Sequence, residues 1–153
     1  MCHRVSLKMQ TLKFTPLVLS AAIMCGCGES TPPGPELLSV SGAVMLKDEP
    51  IPHADIYFMP IDDTEGVGGL ARSDDTGKFE VMYSRGGNGL PAGTYRVAVS
   101  RRVMPDGSPV PPGDDTPAIE SPAKETLPPK FSDLSRSKLT VVVQEGSPLE
   151  IIL

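Results

Sequence analysis

Leu90-Pro91-Ala92-Gly93-Thr94-Tyr95-Arg96-Val97-Ala98-Val99 decides how the rest of this chain reads. A Pro-x-Gly corner opens into strict alternation. Tyr95, Val97 and Val99 point one way; Thr94, Arg96, Ala98 and Ser100 point the other. Aromatic and β-branched residues at period two mark a strand with one buried face. The corner gives Tyr95 a structural role, its hydroxyl bonding back to the loop backbone as in a tyrosine corner.

Working outward, six more segments look like partners for this strand. Residues 38–46 place Val40, Gly42, Val44 and Leu46 on one face, and the interior Gly42 predicts a bulge or a close backbone approach. After the polar turn 47–50, Ile56 and Phe58 alternate with Asp55, Tyr57 and Met59, and Pro60 is expected to end that strand. A short strand at 70–73 meets the hairpin turn Asp74-Asp75-Thr76-Gly77, with Gly77 placed for positive φ. Phe79, Val81 and Tyr83 then alternate with Lys78, Glu80 and Met82. Leu139, Val141 and Val143 form the inward face of 138–144, and 149–153 is the last strand. Seven short strands with turn signals and no helical period predict an all-β fold, a seven-stranded antiparallel β-sandwich. A barrel is the alternative. Residues 103–129 differ in kind: they hold eight prolines and no apolar period, and read as a mobile excursion between strands.

The composition bounds function. The 153 residues carry a net charge of −5. The first 26 hold Arg4, Lys8 and Lys13 with no acid, so the remainder is near −8. An acidic chain without a Lys/Arg stripe is a poor partner for nucleic acid. Phe14 to Met24 is apolar but too short to span a bilayer, which needs roughly 20 residues. A basic segment, a short apolar run and small residues make a secretory signal. Ile23-Met24-Cys25-Gly26-Cys27-Gly28 resembles the lipobox of bacterial lipoproteins, with the small Gly26 before Cys27. That resemblance implies a signal peptide at 1–26 and lipidation of Cys27 as the first mature residue. It also implies a membrane anchored through more chains than stable attachment needs. Gly28 in place of an Asp retention signal favours the outer membrane by the same analogy. The alternatives are an ordinary secretory signal cut after Ala22 and a metal site at Cys25 and Cys27, for which nothing else supplies soft ligands. With Cys2 and Cys25 removed, no intramolecular disulfide is possible. Residues 27–37 read as a flexible tether and 38–153 as the domain.

The order of motifs is similar to that of a known family. Gly42-x-Val44 comes first, then Pro50-x-Pro52-x-Ala54-x-Ile56-x-Phe58. Ser73-Asp74-Asp75-Thr76-Gly77-Lys78-Phe79 and Leu90-Pro91-Ala92-Gly93-Thr94-Tyr95-x-Val97-x-Val99 follow. Leu127-Pro128-Pro129-Lys130-Phe131-Ser132-Asp133 and Ser137-x-Leu139-x-Val141-x-Val143 close the series. Together these resemble the carboxypeptidase regulatory-like domain, a transthyretin-like β-sandwich, as carried alone by small bacterial lipoproteins. His53 stands where that family commonly has Gly, and Ser73 where Thr is usual. The resemblance implies a fold and an envelope location, and no reaction.

No residue constellation carries catalysis. His53 is the only histidine after the leader, and there is no G-x-S-x-G, P-loop or G-x-G-x-x-G. Asp62, Asp63 and Glu65 could gather with Asp74 and Asp75 around calcium, but solvated turns account for them more simply. No aromatic sugar platform is evident, Tyr57 and Tyr83 being the only other tyrosines. The expectation is a non-catalytic, lipid-anchored cell-envelope module without cofactor or metal, with the membrane as partner through its anchor, no nucleic acid, and an envelope protein or glycan partner left open. The alternatives are a carbohydrate or peptide binder using loops at one sandwich end, and an accessory subunit of a secreted enzyme or transporter.

Overall fold

The computed structural model describes residues 34–114, 116–117 and 119–153. In chain order these form β1 (Ser41–Leu46), β2 (Glu49–Pro50), β3 (Asp55–Ile61), β4 (Gly69–Arg72), β5 (Lys78–Tyr83) and β6 (Gly93–Ser100). There follow β7 (Arg102–Val103), β8 (Lys124–Glu125), the one-turn helix α1 (Pro129–Ser132), β9 (Leu139–Val143) and β10 (Leu149–Ile152). The leader, Cys27 and the first part of the expected tether lie outside the described residues.

Seven strands hydrogen-bond in the order β10-β1-β5-β4-β3-β6-β9. Laid flat, six intervals of about 4.8 Å would hold β9 and β10 about 29 Å apart. The connection from Val143 to Leu149 is six residue steps, a reach of at most about 21 Å. The sheet must therefore curl over its own core. β5 is where it folds: Lys78–Glu80 pair with β1, whereas Val81–Tyr83 pair with β4. The result is the expected all-β, sandwich-like fold, with its two leaves joined through β5. One pairing departs from the antiparallel expectation. β10 runs parallel to β1, from Gly42 opposite Leu149 to Met45 opposite Ile152.

The inner face follows the period-two pattern. Val44, Ile56, Phe58, Val81, Tyr95, Val97, Val99 and Ile151 are all buried in one cluster. Arg96 is only half-buried and lies on the outer face, in register with Met59 and Thr140. Gly42 is a close backbone approach rather than a bulge: a Cβ there would lie 2.2 Å from the Leu149 carbonyl oxygen and 2.7 Å from the Phe79 ring. Pro60 does not end its strand, because β3 continues to Ile61 with Pro60 opposite Tyr95. β4 no longer runs beside β3 at that point, and a strand with an open side tolerates a missing N–H.

Apolar side chains in both the expected tether and the expected excursion pack inward. Leu37, read as tether, packs against the core. The excursion at 103–129 is tied down rather than featureless. β7 pairs with β8, and Val110 and Leu127 are buried. The Glu125 carboxylate accepts hydrogen bonds from Ser100 Oγ, the Arg101 amide and the Leu127 amide at 2.5, 3.0 and 2.8 Å.

Candidate functional site

Most motif residues prove to be fasteners. The Tyr95 hydroxyl donates to the Pro91 carbonyl at 2.9 Å, the corner contact expected. Burial, then the neighbouring Tyr83, pushes that phenol up to about 12. Gly93 has φ 153°, and a Cβ there would strike Thr64, whose hydroxyl bridges the Thr94 amide and carbonyl. Ser73 Oγ donates to the Ile51 carbonyl and accepts from the Ala54 amide. Ser137 Oγ donates to the Val97 carbonyl and accepts from the Leu139 amide. Both serines are buried, and each hydroxyl closes a backbone gap that a β ladder leaves open.

The acidic turns behave similarly. Asp74 Oδ1 accepts from Thr76 Oγ1 and from the Thr76 and Lys78 amides, which holds its carboxyl below the usual range. Gly77 has the expected positive φ, 77°. Among the described residues, no three metal-ligating side chains converge, so Asp62, Asp63 and Glu65 do not join Asp74 and Asp75. His53 Nε2 lies 2.8 Å from Asp75 Oδ1. Ser73 is close in sequence, but its hydroxyl is held between backbone groups, which leaves it no nucleophile's role. His53 keeps the left-handed backbone, φ 56°, that glycine would adopt more easily. Cys27, the expected lipidation site, lies outside the described residues.

The feature that the chain's periodicity did not reveal is a groove of about 320 Å³ on the outer face of β3 and β4. It arises from register. Asp55 stands opposite Arg72, and Tyr57 opposite Leu70, so an ion pair and an apolar step lie side by side. Leu70 continues the apolar row to Met82 on β5, and Tyr57 continues it to Ala98 on β6. Tyr57 is 45% exposed, in contrast to Tyr95.

The excursion supplies the opposite wall, Val110 to Asp114, and Arg102 closes one side. Arg72 fixes this wall: its guanidinium reaches Asp55 at 3.3 Å and also donates to the Val110 carbonyl. Burial, then the Asp55 charge, raises the Tyr57 phenol, so it stays neutral and can donate. Hydrogen bonds from Thr116 hold Asp114 below the usual carboxyl range, so it stays an acceptor. The larger cavity, about 590 Å³ over β1, β5 and β10, has Ser41 and Ala43 among Lys78, Glu80 and Glu150. Its one aromatic, Phe79, is turned into the core.

The outward alternation of Tyr57 and Met59 was the available signal for the groove, since both are large and apolar on a face expected to meet water. The wall at 110–114 had none. No family model, curated protein or solved structure matches the chain.

Proposed function

We propose that this protein is a lipid-anchored cell-envelope protein whose single β-sandwich is a non-catalytic interaction module of the carboxypeptidase regulatory-like kind. One observation carries the reading: the basic Arg4, Lys8 and Lys13, the apolar run from Phe14 to Met24, and Gly26 before Cys27. A short apolar run of that length suits export rather than spanning, and a small residue before Cys suits processing at Cys27. The domain supports the non-catalytic part. Its buried hydroxyls and the Asp74 carboxylate are spent on turns and strand ends, in positions that stabilise backbone rather than meet a substrate.

Mass spectrometry of the mature N-terminus from membranes tests this. The expected product begins at Cys27 and carries acyl chains, and Cys27→Ala leaves the protein unprocessed or released. An unmodified N-terminus at Ile23 would overturn the anchor.

A further inference from the structure

The groove of Tyr57, Arg72, Arg102 and Asp114 deepens the interaction-module reading, on which this inference rests, by naming a ligand class. We infer that it binds a neutral oligosaccharide, one sugar ring lying on Tyr57 with its hydroxyls reaching Arg102, Asp55 and Asp114.

Two observations argue against a peptide added as a strand and against a charged polymer. β3 lies between β4 and β6, and β4 between β3 and β5, so the floor has no free strand edge. A peptide added as a strand needs such an edge, and its main chain would find no partner here. The charged lining consists of two carboxylates, Asp55 and Asp114, and two guanidinium groups, Arg72 and Arg102. They balance, which gives no net attraction to an acidic or a basic polymer. The lining instead combines the half-exposed ring of Tyr57, a platform that the sequence alone did not make evident, with acceptors and donors around it. Sugars present that combination in reverse: a flat C–H face, and hydroxyls that both donate and accept. About 320 Å³ is at the lower end for small-ligand sites, roughly 300–1,000 Å³, and suits a short saccharide rather than a large ligand. The wall is tied at Val110 by Arg72 before any ligand arrives, which reduces the ordering that binding must supply. The site also differs from a loop-end binder: its ring and ion pair sit on the body of the sheet.

The test titrates the full chain with cellotriose, chitotriose and maltotriose while backbone amide NMR shifts are followed. At least one trisaccharide should give saturable shifts centred on 55–59, 70–72 and 110–114. Tyr57→Ala should weaken that binding at least about tenfold, and Tyr57→Phe, which keeps the ring, should hold it within about threefold. Arg102→Ala should weaken it without altering the spectrum elsewhere, since Arg102 lies at the groove margin. Absence of saturable shifts with all three sugars at about 10 mM, well above ordinary millimolar affinities, overturns the inference. So does binding that survives Tyr57→Ala. The anchor is read separately: a chain that binds sugar but is unacylated refutes the anchor alone, and an acylated chain that binds none refutes the groove alone.

Discussion

Tyr95→Phe isolates a single hydrogen bond at the corner on which the fold turns. The ring stays, so packing in the core is conserved. What is lost is the 2.9 Å bond to the Pro91 carbonyl, four residues back. A buried neutral hydrogen bond contributes about 1 kcal/mol net, and stranding its partner raises the loss toward 2 kcal/mol. Pro91 is itself buried, so water does not readily replace the hydroxyl. For a unit the size of Pro33–Leu153, an unfolding entropy of about 2.1 cal/mol/K per residue gives about 0.25 kcal/mol/K. The expected fall in Tm is thus about 4–8 °C. Urea melts should show a lower midpoint with an unchanged slope, because the surface exposed on unfolding is the same. Tyr57→Phe, on the exposed ring, should stay within about 0.5 kcal/mol.

Alkaline pH reads a second property of the same side chain, the burial of its phenol, with a smaller contribution from Tyr83. The Tyr95 phenol sits at about 12 in the folded protein against 10.0 ordinarily. A raised folded value means that the folded state holds its proton after the unfolded chain has begun to lose it. This contribution is complete below pH 10 and is lost as pH climbs from 10 to 12. The wild-type protein should therefore lose more stability across that window than Tyr95→Phe does. Equal melts for wild type and Tyr95→Phe at neutral pH would refute the corner argument, as would an equal loss in Tyr57→Phe.

Three further outcomes follow from residues already placed. Val97→Asp buries a charge at a fully enclosed position and should unfold most of the domain, while Arg96→Asp should change stability by about 0.5 kcal/mol or less; urea melts decide, and the reverse result means the strand is shifted by one residue. His53 has φ 56°, so His53→Gly should remain within about 1 kcal/mol of wild type, whereas His53→Val, β-branched, should lose about 1–2 kcal/mol. Equal thermal shifts for the two would show that backbone conformation is not what the turn selects. Glu125→Ala removes the carboxylate that joins the excursion to the end of β6, and should cost about 1 kcal/mol and speed limited proteolysis within 103–129. An unchanged cleavage rate there would mean that β7 and β8 hold the segment without it.

The sequence by itself determined the seven strands of the main sheet, their inner faces and the corner, but not the short β2, β7 and β8, the turn of helix α1 or the course of β3 through Pro60. What it determined is local: alternation over a few residues says which side of a strand meets the core, and Tyr95 lies four residues from its partner Pro91. The left-handed turn at Gly77 is local as well, because glycine alone adopts that φ without strain. Only the tertiary structure decided which strands became neighbours. β1 and β10 are more than a hundred residues apart, and their parallel pairing follows from how a curled sheet closes on its core, not from either segment's pattern. The groove belongs to the same class. Tyr57 on β3 and Pro111 in the excursion are distant in sequence, and they face each other because Arg72 binds both Asp55 and the Val110 carbonyl. Periodicity distinguishes inside from outside along one strand, but what covers the outside depends on long-range packing that no short window of residues contains.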